Sequence, residues 1–192
     1  MMSITPNSVA ALEWLFEKSI KENSVTSTDD NCAVTRLNAP GGAVEGKNRK
    51  LIVLNISSYT FRVVALFDFD LNDVTTEHLA KVLRSPKGDL KGQSLLDAYA
   101  EFVNMICGTV NRQLSSEFRH VGMSTPLFLD TECASYADIL KPAQTMRFDV
   151  TVNEATRFKI AIFVCIAKNA TLDFHVNRFD VAEASTGELE LF

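Results

Sequence analysis

Asp97, Glu101, Asn104, Gly108, Asn111 and Ser115 recur at spacings of 4, 3, 4, 3 and 4, which lines side chains along one stripe of an α-helix. A carboxylate accepts hydrogen bonds or pairs with a cation, whereas an amide donates and accepts at once. Glu101 and Asn104, one turn apart, therefore offer polar contacts to something docked on the helix rather than a nucleophile. Asparagines are mediocre helix formers, and Gly108 costs about 1 kcal/mol relative to alanine in a helix interior. Glycine at that point also leaves the surface bare enough for another protein's backbone to approach. The Glu-x-x-Asn pattern alone is common, and any surface helix has a solvated face. Glu45-Gly-Lys-Asn48 repeats the pattern in a glycine-rich loop.

The stripe needs a helix from near Ser94 to about Phe118. On it Leu96, Tyr99, Ala100, Val103, Ile106, Cys107, Val110 and Leu114 form the apolar side, roughly 120° from the stripe by helical arithmetic. Thr5-Pro6-Asn7-Ser8 supplies cap and first-turn chemistry for an earlier amphipathic helix running to about Glu22. A shorter helix is expected from Thr75 to about Leu83, stopped by Ser85-Pro86-Lys87-Gly88. β-branched and aromatic runs predict strands at 32–37, 51–56, 61–69, 127–129, 146–152, 157–167 and 172–176. Their near-continuous apolarity implies a well-covered sheet. One or two helical turns are expected at 135–140. Pro40-Gly41-Gly42 with Gly46 marks a mobile loop, and the Glu188-Leu189-Glu190-Leu191-Phe192 tail reads as an edge strand or a frayed end. Both halves, about 1–90 and 91–192, run from a helix into strands with no dividing linker. The expectation is a single α+β domain, mostly antiparallel, with a degenerate α-β-β-β duplication.

Composition narrows the partners. Nineteen basic against 24 acidic residues give a net charge of −5, with no basic excess to neutralise a nucleic-acid backbone. No apolar run approaches a membrane span, and no export signal opens the chain. The four cysteines form no C-x-x-C pair, which argues against structural zinc and for a reduced, cytoplasmic protein. Cys107 and Cys165, inside apolar runs, read as small core residues, and Trp14 as core material. Asp97 and Glu101 lack the Glu-x-x-His partner of a helical carboxylate metal site. His78 reads as solvated, His120 as following the long helix and His175 as part of a strand. No serine has a G-x-S-x-G setting.

The run Asp97-Ala-Tyr-Ala-Glu101-Phe-Val-Asn104-Met-Ile-Cys-Gly108 resembles the D-x-x-x-E-x-x-N signature helix, with its following glycine, of the CheC/CheX-type chemotaxis phosphatases. Ser124-Thr125-Pro126 is similar to the Ser-x-Pro turn that follows the helix in that family. The resemblance implies a pseudo-duplicated fold and hydrolysis of the phospho-aspartate of a CheY-like response-regulator receiver domain. It implies Asn104 and Glu101 as the catalytic pair: Asn104 orients a water in line with the scissile bond, and Glu101 pairs with the receiver's active-site lysine. Asp97, Gly108 and Asn111 extend the docking stripe. No cofactor of its own is implied, because the receiver supplies Mg2+. Placing Glu13 or Glu17 of the first helix against Glu101 leaves Phe16 or Ile20 where Asn104 stands, so one site per chain is expected, as in CheX-like members. The resemblance extends to a homodimer pairing sheet edges and leaves room for a CheD-like regulator. A non-catalytic receiver-binding or flagellar-switch-like adaptor of the same fold is the alternative.

Overall fold

The computed structural model describes residues 3–38 and 48–176. In chain order they form β1 (Ser3–Ile4), α1 (Pro6–Ser24), β2 (Cys32–Arg36), β3 (Arg49–Ser57), β4 (Phe61–Asp70), α2 (Asp73–Val82), a 3-10 turn (Lys87–Asp89), α3 (Gln93–Glu117), β5 (Gly122–Met123), β6 (Leu127–Leu129), a 3-10 segment (Thr131–Leu140), β7 (Gln144–Val152), β8 (Ala155–Ile166) and β9 (Thr171–Leu172). The expected glycine-rich loop around Pro40–Gly46 and the 188–192 tail lie outside the described residues.

Local chemistry sets the helix starts. Thr5 caps α1 by accepting from the Ser8 amide at 3.3 Å, with Pro6 in the first turn. There the missing N–H costs no helical bond. Asn72 and Thr75 form a reciprocal capping box at the start of α2. The expected strand at 172–176 shortens to Leu172 and its neighbour: β9 pairs with β1 in parallel, and Phe174 then turns its amide onto Ser8 Oγ at 2.8 Å. That buried hydroxyl on α1 replaces a ladder partner and ends the strand. His175 consequently lies beyond the strand, exposed. The helical turns expected at 135–140 are a longer 3-10 stretch beginning at Thr131.

Seven strands form a mostly antiparallel sheet in the order β2-β7-β8-β4-β3, with β5 and β6 side by side along the outer edge of β3. The order is unchanged when the two halves are exchanged. β4 and β8 pair at the centre, β3 and β7 flank them, and each short strand, β2 or β6, pairs with the other half's outer long strand. Each half therefore completes the other's sheet.

Alternation divides the sheet into two faces. Ile52, Leu54 and Ile56 of β3, Val63, Ala65 and Phe67 of β4, and Ile160, Ile162 and Val164 of β8 form one core with Leu12, Phe16 and Ile20 of α1 and Phe102, Val103, Ile106 and Val110 of α3. Among the described residues the opposite face carries no helix. There Leu51, Val64 and Phe163 are buried, while Arg49 forks between Asp68 at 2.7 Å and Asp70 at 2.9 Å. The cover that the apolar runs suggested comes from one helical layer and, on the opposite face, from the 131–140 segment, whose Leu140 carbonyl accepts from Cys165 Sγ at 3.6 Å.

Candidate functional site: the outer ridge of the long helix

α3 is 25 residues long, about 37 Å at 1.5 Å per residue. Its buried side chains are Ala98, Tyr99, Phe102, Val103, Ile106, Cys107, Val110 and Leu114. Leu96 and Ala100, expected in the core, are only half-buried, and Phe102 with Ala98 takes their place. Phe102 lies edge-on to Phe69 and Phe158, with centroids 6.2 and 5.6 Å away, so aromatic packing turns the helix toward that side. The buried side rotates by roughly 40°, which moves the polar stripe from about 120° to about 160° away from the core. The stripe is an outer ridge rather than a flank.

Two hydroxyls hold the helix from behind. Ser19 of α1, fully buried, donates to the Ile106 carbonyl at 2.7 Å. Tyr99 donates to Thr75 Oγ1 at 3.0 Å, tying α3 to the cap of α2, and its ring packs on Phe69 at 4.7 Å. These anchors bracket Glu101 and Asn104 in sequence. They were not among the expected functional residues, because a serine inside an amphipathic helix carries no signal of the neighbour it will meet.

On the ridge, Asp97 and Glu101 are exposed and Asn104, Gly108 and Asn111 half-buried. Asp97 accepts from Gln93 Nε2 at 2.7 Å. Glu101 and Asn104 make no hydrogen bond or ion pair within the described residues. The carboxylates of α1 that align with Glu101 differ: Glu13 pairs with Arg36 and Glu17 with Lys21, each at 2.6 Å, and Phe16 and Ile20 are fully buried. Asn111 has a buried Oδ1 with no partner. A Cβ added to Gly108 would meet nothing within 4 Å, so no packing among the described residues requires glycine there. Beyond the helix, Ser124 donates its amide to the Asn55 carbonyl at 2.9 Å, and Ser124 Oγ accepts the Asn55 amide at 3.0 Å. The hydroxyl stands in for a ladder carbonyl between β5 and β6, where Pro126 interrupts the edge.

The remaining candidates are elsewhere. His78 is half-buried rather than solvated, with Nε2 2.7 Å from the Ser24 carbonyl at the end of α1. Burial pushes its pKa down, against that hydrogen bond and with help from nearby Arg157. All four cysteines are free, and burial pushes the Cys107 thiol far up, as befits a core residue. Trp14 packs partly buried against the core. Among the described residues no cluster of three His, Cys, Asp or Glu side chains is placed to hold a metal ion, and no helix is long and apolar enough to cross a membrane.

No family model matches the sequence, and no curated protein matches it. Solved structures do. CheX in the CheX-CheY-BeF3-Mg2+ complex from Borrelia burgdorferi superposes with a TM-score of 0.56 at 10% identity, covering 82% of this chain and 97% of that one. The chain has a CheC/CheX-type fold. CheX from Vibrio vulnificus follows at 0.52 and 12% identity, over 81% of this chain and 97% of that one. FliY from Thermotoga maritima reaches 0.50 and 11% identity, over 85% and 91%. In this CheC/CheX-type fold the ridge of α3 is the surface where unpaired polar side chains and an unexplained glycine coincide.

Proposed function

We propose that this protein is a cytoplasmic phosphatase acting on the aspartyl phosphate of a CheY-like response-regulator receiver domain. One observation carries the reading: among the described residues the Glu101 and Asn104 side chains stand unpartnered, one turn apart, on an outer ridge whose Gly108 serves no packing contact. A Borrelia burgdorferi protein of the same fold was crystallised with CheY, BeF3 and Mg2+, which supports the partner class.

An aspartyl phosphate is already activated, and the receiver's own Mg2+ would neutralise charge on the phosphoryl oxygens. The phosphatase then needs to place a water. The Asn104 carboxamide oxygen accepts from that water while its NH2 donates toward a phosphoryl oxygen. The water oxygen bonds to phosphorus as the bond to the aspartyl oxygen breaks. The water's proton passes to the departing inorganic phosphate, and the carboxylate is restored. An aspartate in place of Asn104 would face the phosphoryl oxygens and repel them. Glu101 pairs with the receiver's lysine and sets register, while Asp97, Gly108 and Asn111 extend the contact. As a further partner we propose a second copy paired through a sheet edge, β2 being the terminal strand. Solution scattering would then give about twice the monomer mass.

The deciding experiment incubates the protein with a phosphorylated receiver and Mg2+. Asn104→Ala is expected to slow phosphate release by on the order of 100-fold with receiver binding retained. Equal loss in wild type, variant and buffer would sink the phosphatase reading, and binding without hydrolysis would leave the adaptor.

A further inference from the structure

The ridge has an electrostatic problem. A receiver surface that holds a divalent ion beside an aspartyl phosphate is necessarily lined with carboxylates. Asp97 and Glu101 meet it with two negative charges, on a protein of net charge −5. Long-range repulsion would slow such an encounter.

The counterweight is local. Between positions 81 and 91 stand Lys81, Arg84, Lys87 and Lys91 against one carboxylate, Asp89, and all four basic side chains are exposed. Lys81 and Lys87 share Glu77 at 3.3 and 3.5 Å. Arg84 and Lys91 make no ion pair among the described residues. The turn is fastened to the ridge itself. Ser94 Oγ accepts the Lys91 amide at 3.1 Å and lies 2.8 Å from the Lys91 carbonyl and close to the Asp89 carbonyl. Ser94 precedes Asp97 by three residues and Glu101 by seven, so it begins the same ridge. Gly92, at φ +53°, makes the bend that folds the turn there, a backbone conformation open to glycine. Beside the turn, Asn72, Thr76, Lys87, Leu90 and Lys91 line an open groove of about 830 Å3.

Distance allows one partner to reach both features. Ser94, whose Oγ holds the Lys91 amide, lies about 10–15 Å along the helix axis from Glu101 and Asn104 at 1.5 Å per residue. An ordinary interface covers about 800 Å2 per partner, a footprint about 30 Å across. Centred on Glu101 and Asn104, that footprint has the basic turn at its rim.

We infer that the Lys87–Lys91 turn is a second receiver contact, engaging a carboxylate-rich loop at the rim of the partner's phosphorylation pocket and offsetting the negative charge of the ridge. The inference rests on the reading of α3 as the receiver-docking face. Rim charges act on encounter and dissociation more than on the chemical step, which makes the contact separable from catalysis.

The test uses the full chain and the purified CheY-type receivers of the source genome, in Mg2+ with beryllofluoride for binding and with phosphorylated receiver for turnover. Lys87→Glu combined with Lys91→Glu is compared with a charge-matched control, Lys141→Glu combined with Lys168→Glu, at two exposed lysines away from the turn. Expected for the Lys87/Lys91 pair are a rise of about tenfold in Kd and KM, a far smaller change in kcat, and a shallower loss of affinity with added salt. The control should bind like wild type. An unmoved Kd, an equal effect in the control, or a fall in kcat at constant KM would overturn the inference. Binding without hydrolysis by wild type would overturn the phosphatase reading alone, because the Kd comparison still reads the contact. Wild type that binds no receiver would overturn both.

Discussion

Gly108 sits in the middle of a 25-residue helix and has open space where a Cβ would stand. The helix therefore carries a cost of about 1 kcal/mol that packing among the described residues does not require. Gly108→Ala is expected to raise Tm by about 2–4 °C and to weaken receiver binding, as read by thermal unfolding and titration. A stabilised variant that binds like wild type would remove Gly108 from the docking surface. Glu101, Asn104 and Gly108 were legible because helical spacing is a property of the sequence alone. The unpaired state of Glu101 was legible only in part: Lys21 stands four residues after Glu17, a helical pairing the spacing shows, whereas the pairing of Glu13 with Arg36 depends on where β2 lies.

At the scale of elements, the ridge is only as well placed as α3 is held, and α1 and α2 hold it by different means. α1 contributes Ser19 to the Ile106 carbonyl. α2 contributes Thr75 to Tyr99 and is itself tied to α1 through His78 and Ser24, with the His78 ring edge-on to Phe102 at 6.2 Å. Burial lowers the folded-state pKa of His78, with Arg157 and Lys81 acting in the same direction and Asp30 opposing them. Its contribution to stability is therefore fully present above the unfolded value of about 6.5. It is lost progressively as pH falls from that value through the lowered folded one, because the unfolded chain takes up the proton first. Tm is expected to fall between pH 7.5 and 5.5 more steeply for wild type than for His78→Gln, whose amide can still donate to Ser24. Parallel slopes would show that the ring is not the titrating group.

At the scale of the molecule, the two halves share one sheet. β4 and β8 pair over eight residues at its centre, and each short edge strand sits on the other half. α1 and α3 also pack on each other over one core. Residues 1–91 alone would expose the inner edge of β4 and the apolar face of α1. The two fragments 1–91 and 92–192, expressed separately, are each expected to lack a cooperative thermal transition by circular dichroism. A cooperative transition in either would mean that the halves are independent units.

The sequence by itself determined the helices, the long strands and the polar stripe, because caps, β-branched runs and helical spacing act over a few residues. It also set that no amide stands three residues after Glu13 or Glu17 on α1, since Phe16 and Ile20 occupy those positions. Tertiary structure decided which way α3 turns. Phe102 and Ala98 rather than Leu96 and Ala100 enter the core, because Phe69 and Phe158, on strands distant in the chain, offer Phe102 a close-packed site. Tertiary structure likewise ended the strand after Leu172, half-buried His78, and left one face of the sheet without a helix among the described residues. The turn of α3, the end of the strand and the setting of His78 each depend on partners far off in the chain, Phe69 and Phe158, Ser8 and Ser24, which no local pattern specifies.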